Sequence, residues 1–343
     1  MANHLFFVFI LSVIISIAYC ADIDADFRQW MSKNLKPDDA KRVIRDELDY
    51  GSYGGGKYKQ DVRPVVQVHG MNNNAAYVAA VRRRMAALGF PKEALFGTTW
   101  GNGNTQLNLM ETMKCEYVQQ IRRHIEVVLM YTKAKQIDVI GYSLGAPMAR
   151  KAILGGKCVD NGGVDIGKPL TDRIHTFISI AGANQGSMHC GIPWPGICNQ
   201  VNGLSCNSQF LRDINSKSNY ESTFRSYNLA STADQIVGYF ACGRRASDFT
   251  GAHEWKLDGR NHDQTEFETA EIQIKMLKEG NKKPEEKPTP KAAPKKEKKP
   301  KSKRATDDKN KKKEDKPKDK KQKNKKNERK KERQQNKKND KKG

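Results

Sequence analysis

The sequence predicts an α/β fold, a mainly parallel sheet covered by helices on both faces, and three observations predict it. Strand-like and helix-like segments alternate through residues 60–278, the pattern of strand-helix-strand units. The strand-like runs, such as Val65-Val66-Gln67-Val68 and Ile137-Asp138-Val139-Ile140, are short and largely β-branched, as suits strands covered on both sides. Between residues 110 and 129, Met110, Met113, Tyr117, Ile121, Ile125 and Val128 recur at spacings of three and four. That is one apolar face of a helix.

In chain order, the strand at 65–68 feeds a loop that opens with His69-Gly70. An Ala- and Arg-rich segment, 75–88, is helical in character, and the amphipathic helix of 110–129 follows. Strand 137–140 leads into a helix over 144–154. His175 to Ile180, Phe224 to Leu229 and Trp255 to Leu257 read as three further strands. A helix over Thr265–Lys278 closes the domain, and no internal repeat is visible.

The two ends differ from this middle. Leu5 to Ala18 is almost uninterrupted hydrophobe, about fourteen residues, too short for a comfortable membrane span. It runs into Ala18-Tyr19-Cys20, so residues 1–20 are expected to be a secretory signal peptide, even though His4 is the only basic side chain before the run. No transmembrane segment is expected in the mature chain. Residues 281–343 hold 30 Lys and Arg against 11 Asp and Glu and no aromatic residue, so they carry 19 of the 23 net positive charges. Such a segment buries too little apolar area to offset its ordering entropy. The stretch 280–343 is therefore expected to be a disordered basic tail whose partner is an anionic surface: acidic lipid, glycan or nucleic acid. Residues 21–279 remain for one domain with a large core.

Six cysteines lie beyond Cys20: Cys115, Cys158, Cys190, Cys198, Cys206 and Cys242. An even number behind a signal peptide predicts up to three disulfides. Six cysteines allow fifteen pairings, so connectivity stays open, although the close trio at 190, 198 and 206 suggests a local bridge. None of the pairs has the C-x-x-C spacing a zinc site favours, and no metal or other cofactor is expected.

The stretch "DVIGYSLGAPMARKAIL", residues 138–154, sets Ser143 between two glycines at a strand-to-helix junction. That context fits a nucleophile elbow, in which a sharp turn lifts the serine hydroxyl clear of the sheet. A serine needs a base, and the base needs an acid to orient it, in the chain order Ser, Asp/Glu, His. "NLASTADQIVG" puts Asp234 a few residues past a strand, and "LDGRNHDQTEF" puts His262 before the last helix. Ser143 is thus the candidate nucleophile, His262 the base and Asp234 the orienting acid. Asp258, Asp263 and Asp248 are weaker candidates for the acid, and His253 for the base. His124, His175 and His189 read as structural or surface residues. The oxyanion hole is expected from the backbone N–H groups of Leu144, after the nucleophile, and Met71, after His69-Gly70.

These segments together resemble a known family. The strand with its His-Gly loop, GYSLG, "STADQIV" and "GRNHDQTEF", with "GTTWGNGNTQLNL" and "CVDNGG" between them, are similar to the secreted class 2 lipases expanded in nematodes. The resemblance covers roughly residues 25–275 and implies an α/β-hydrolase fold. It also implies a triacylglycerol-type carboxylic ester substrate, and it carries the triad onto Ser143, Asp234 and His262. The basic tail has no counterpart in that pattern. Residues 184–222, a Cys-, Gly- and Pro-rich stretch with Ile192, Trp194 and Ile197, are long for a loop and are expected to form a pocket rim or lid. A phospholipase, a short-chain esterase and a non-catalytic binding protein on a hydrolase scaffold are the alternatives.

Overall fold

Alternation of side chains across the strands decides which residues enter which of two cores. The computed structural model describes residues 23–59, 61–216 and 220–279. The signal-peptide reading of 1–20 and the tail reading of 280–343 lie outside them. Among the described residues there are nine strands: β1 (Ser52–Tyr53), β2 (Val65–Val68), β3 (Leu95–Thr98), β4 (Ile137–Tyr142), β5 (Ile174–Ile180), β6 (Arg225–Ser231), β7 (Phe240–Ala241), β8 (Arg244–Arg245) and β9 (Ala252–Leu257). Seven form one sheet in the order β1-β3-β2-β4-β5-β6-β9, and β7 and β8 form a separate antiparallel hairpin. Every neighbouring pair in the large sheet is parallel except β1 with β3 at one edge. This is the α/β-hydrolase arrangement expected from the sequence.

The helices are α1 (Ala25–Asn34), α2 (Pro37–Ile44), α3 (Ala75–Ala87), α4 (Cys115–Thr132), α5 (Gly145–Leu154), α6 (Gln209–Ser216), α7 (His262–Phe267) and α8 (Ala270–Glu279). On one face, Val66, Val68, Phe96, Val139 and Phe177 pack with Phe27 and Met31 of α1, Val118, Ile121 and Ile125 of α4, and Met148 and Ile153 of α5. On the other, Val65, Leu95, Ile140, Ile178 and Leu229 pack with Val78, Val81 and Met85 of α3 and Ile274 and Leu277 of α8. Burying both faces is what makes these strands read as continuous apolar runs. Among the described residues, no helix is long and apolar enough to cross a membrane.

Three departures from the sequence reading have local causes. Helix α4 begins at Cys115, not at 110, because the preceding amides are already engaged. Met110 N–H donates to the Asn108 side chain at 3.1 Å, and Met113 N–H donates to the Asn202 carbonyl at 2.9 Å. An Asn side chain offering that bond competes with the helix, and Met110 is left 63% exposed while Met113 is buried. His262 is the first residue of α7 and not part of a loop before it. Residues 184–222 are also not helix-free, since α6 lies within them, its Phe210, Leu211 and Ile214 turned into the core.

All six expected cysteines are paired: Cys115 with Cys158, Cys190 with Cys198, and Cys206 with Cys242. The second is the local bridge the cysteine trio suggested. The first ties the start of α4 to the loop after α5, and the third ties the 184–222 segment to the β7–β8 hairpin. Closing loops of 43 and 36 residues constrains the unfolded chain, an effect worth roughly 2–4 kcal/mol per bridge.

Candidate active site

Strand β4 delivers Ser143 at the middle of the sheet, and the turn that follows is tight. Ser143 has φ 52°, in the left-handed region that non-glycine residues rarely occupy. Three bonds hold it there: its N–H donates to the Ile180 carbonyl at 2.9 Å, and its carbonyl accepts from Ala146 N–H at 3.1 Å and Ala183 N–H at 3.4 Å. The next glycine is needed for space. A Cβ on Gly145 would lie 2.2 Å from the His69 carbonyl oxygen, and one on Gly70 would lie 2.9 Å from Ser143 Cβ. The elbow and the His69-Gly70 loop therefore touch backbone to backbone.

The structure brings Ser143, His262 and Asp234 together. His262 Nε2 stands 2.9 Å from Ser143 Oγ, and its Nδ1 stands 2.8 Å from Asp234 Oδ2. Asp234 lies in the turn after β6, where its other oxygen, Oδ1, accepts from the backbone N–H groups of Ile236 and Val237, each at 2.9 Å. Burial pushes the Asp234 carboxyl up. The His262 hydrogen bond and charge and the two amides outweigh burial and hold it below the usual carboxylate range. The acid is thus kept ionised beside the imidazole.

The position of His262 is fixed from both sides. Its N–H donates to Gln235 Oε1 at 3.0 Å, from the residue after the acid. Asn261 caps α7 reciprocally: its side chain accepts from Gln264 N–H at 2.8 Å, and the Gln264 side chain accepts from Asn261 N–H at 2.9 Å. Gln235, Asn261 and Gln264 are supporting residues that the sequence reading missed. The cap was visible as an Asn followed three residues later by a Gln.

The rival residues have other partners. Asp258 pairs with Lys256 at 3.2 Å and accepts from the Thr232 hydroxyl, and Asp248 pairs with Arg245 at 3.3 Å. Asp263 accepts from Tyr77 and Tyr142. His253 is exposed on β9, His175 stacks on Phe224, and His189 Nε2 meets the Gln235 carbonyl. His124 is buried in α4, and neither of its ring nitrogens has a hydrogen-bond partner among the described residues.

His69 shapes the candidate oxyanion loop through its side chain. Its Nε2 accepts from Trp100 N–H at 3.1 Å, so Nδ1 carries the proton and donates to the Gly70 carbonyl at 2.8 Å. Trp100 clamps the ring further, stacking at 4.7 Å and donating Nε1–H to the His69 carbonyl. Burial drives the imidazole down to about 3, so it stays neutral. The Gly70 carbonyl and the Met71 N–H belong to one planar trans peptide and point in opposite directions. Fixing the carbonyl fixes where the Met71 N–H is aimed. The Leu144 N–H opens α5 on the other side of Ser143.

Exposed apolar side chains lie on loops hydrogen-bonded to these. Asn108 N–H donates to the side chain of Asn72, beside Met71, and Ile197 N–H donates to the Leu109 carbonyl. Met188 N–H donates to the Val237 carbonyl, next to the acid's own amide partners. On these joined loops Leu107 is 75% and Ile192 81% exposed, and Met188 and Ile236 are about half exposed. Trp194 is half-buried and Ile197 buried. The one cluster of potential metal ligands among the described residues is Cys115, Cys158 and Asp160. Its two sulfurs are bonded to each other, so it offers no thiolate pair.

Comparison with known proteins gives the family. The family described as lipase (class 2) matches residues 62–275. No curated protein matches the sequence. Among solved structures, a lipase from Bacillus licheniformis in its mature form is similar at 13% identity, with a TM-score of 0.46, covering 66% of this chain and 96% of that one. Lipase B of Aspergillus fumigatus is similar at 12% identity and a TM-score of 0.45, covering 60% of this chain; the chain spans 48% of that protein's length. An esterase from Exiguobacterium antarcticum is similar at 13% identity, with a TM-score of 0.39, covering 66% of this chain and 94% of that one. With its elbow, sheet and family match in one stretch of sequence, the chain belongs to the class 2 lipases.

Proposed function

We propose that this chain is a secreted serine carboxylic ester hydrolase, a triacylglycerol lipase working through an acyl-enzyme on Ser143. The observation that carries the reading is the continuous pair of contacts, 2.9 Å from Ser143 to His262 and 2.8 Å from His262 to Asp234. Ser143 Oγ attacks the ester carbonyl carbon while His262 Nε2 takes its proton. The carbonyl electron pair moves onto oxygen, where the Met71 and Leu144 N–H groups receive it. Collapse of this intermediate expels the alcohol, protonated by His262, and leaves the acyl group on Ser143. Water repeats the attack with His262 as base, releasing the fatty acid. Asp234 stays ionised throughout and stabilises the imidazolium.

The lipase family and the exposed Leu107, Ile192, Met188 and Ile236 on loops bonded to the candidate site's own loops favour a lipid ester over a small dissolved one. Three disulfides accord with secretion. The basic tail is assigned to an anionic surface, where each basic residue contributes roughly 1 kcal/mol. These assignments are tested together with the full chain and a form truncated near residue 280. Both are expected to hydrolyse emulsified triolein faster than phosphatidylcholine and to turn over a dissolved short-chain ester at similar rates. Only the full chain is expected to sediment with anionic vesicles at low salt, and high salt should remove that difference. Hydrolysis of short-chain ester alone would make the protein an esterase. No hydrolysis would make it a binding scaffold, and equal sedimentation would leave the tail without this role.

His69→Ala is expected to lower kcat roughly 10- to 100-fold while KM changes little, because the Met71 N–H loses its aim and an oxyanion donor acts mainly in the transition state. Steady-state kinetics on a dissolved ester check this. A rise confined to KM would contradict the role given to the loop.

A further inference from the structure

Asp263 follows the candidate base directly, and Tyr142 directly precedes the candidate nucleophile. The Tyr142 hydroxyl donates to Asp263 Oδ1 at 2.9 Å. The same oxygen accepts from the Tyr77 hydroxyl at 2.8 Å, and Tyr77 lies in the first turn of α3, just after the oxyanion loop. One carboxylate oxygen therefore joins the three elements that carry the nucleophile, the base and the oxyanion loop. The two phenol rings stack with centroids 5.5 Å apart, and the Tyr142 ring lies against the His262 imidazole at 5.0 Å. Burial, first, and nearby carboxyl groups push both phenols up, so they remain protonated donors at any working pH.

The need for such a joint follows from the fold. Helix α7 has only six residues and is not a strand of the sheet, so the sheet alone does not fix its distance from Ser143. Gln235 holds its N-terminus from the side of the acid. The two tyrosines hold it from the side of the elbow. We propose that Asp263 is a positioning residue for the hydrolysis assigned to this site: gripped by Tyr142 and Tyr77, it sets where the His262 imidazole stands over Ser143. The inference rests on the hydrolase reading above. A competing role exists, since an acid in the first turn of a helix stabilises that helix by charge alone.

The test uses the full chain with Asp263→Ala, Asp263→Asn and Tyr142→Phe, and the double variant of Asp263→Ala with Tyr142→Phe. kcat and KM are measured on a dissolved short-chain ester, together with thermal unfolding. Asp263→Ala is expected to lose roughly 10- to 100-fold in kcat with KM nearly unchanged, as a misplaced base does. Asp263→Asn, which keeps an acceptor oxygen but no charge, is expected to recover most of that loss. Adding Tyr142→Phe to Asp263→Ala is expected to cost little more, because both remove one joint. An Asp263→Ala enzyme with full kcat and a lowered unfolding temperature would overturn the proposal in favour of the helix-charge role. So would an asparagine variant as slow as the alanine one, or losses that simply add. A wild-type chain that leaves the ester intact would overturn the hydrolase reading itself, a result separable from a fully active Asp263→Ala enzyme.

Discussion

Ser143→Ala is expected to cut ester turnover by roughly ten-thousandfold or more, with the fold and adsorption to lipid unchanged. The loss is large because the substitution removes the attacking atom, and triad members act as a unit. The fold survives because the backbone at this position, φ 52°, is held by the Ile180, Ala146 and Ala183 contacts and not by the hydroxyl. Alanine is also no more crowded than serine in the space between Gly70 and Gly145. Titrimetric release of fatty acid, with the mass shift left by a fluorophosphonate probe, measures both turnover and the site of attack. Undiminished turnover, or a label on another residue, would end the elbow reading.

Asp234→Asn is expected to cost a comparable factor, about ten-thousandfold in kcat, through a tautomer reversal that the loop enforces. Asp234 Oδ1 accepts from Ile236 and Val237 N–H. The introduced amide must keep its oxygen towards those two donors, which turns its NH2 group towards His262 Nδ1. Nδ1 then accepts, the ring proton moves to Nε2, and the nitrogen facing Ser143 is no longer a base. Asp258→Asn serves as the control, since its carboxylate pairs with Lys256 and is expected to change kcat little. A silent Asp234→Asn beside a crippled Asp258→Asn would reverse the assignment.

The grouping of Ser143, Asp234 and His262 was legible because the candidate roles are tied to strand ends: an apolar run, a glycine-flanked serine, then an acid and a histidine after later strands. The parallel core was legible for the same reason, as runs buried on both faces are apolar throughout. What stayed hidden was short or non-local. Strand β3, Leu95-Phe96-Gly97-Thr98, is only four residues long, with a glycine packed on the Tyr53 ring, so it carries no period to read. Helices α1 and α2 cover one face of the sheet, but only tertiary contacts give Phe27 and Met31 their place. The start of α4 was misread because Met110 continues the helical spacing while Asn108 takes its amide. Asp263 read only as a weaker candidate for the orienting acid, since the tyrosines that hold it lie 121 and 186 residues away in sequence.

The amides that steady Asp234 belong to Ile236 and Val237. Ile236 is 48% exposed, and Val237 lends its carbonyl to Met188. Under the proposed function, the surface that would meet the substrate and the carboxylate that would support the base are adjacent links of one short loop. For anyone evolving this protein towards other chain lengths, selectivity and speed are not independent dials at 236–237 or 188. Libraries there will trade one against the other, whereas Leu107 and Ile192, which make no bond to the acid loop, offer places to alter preference with the catalytic rate left alone.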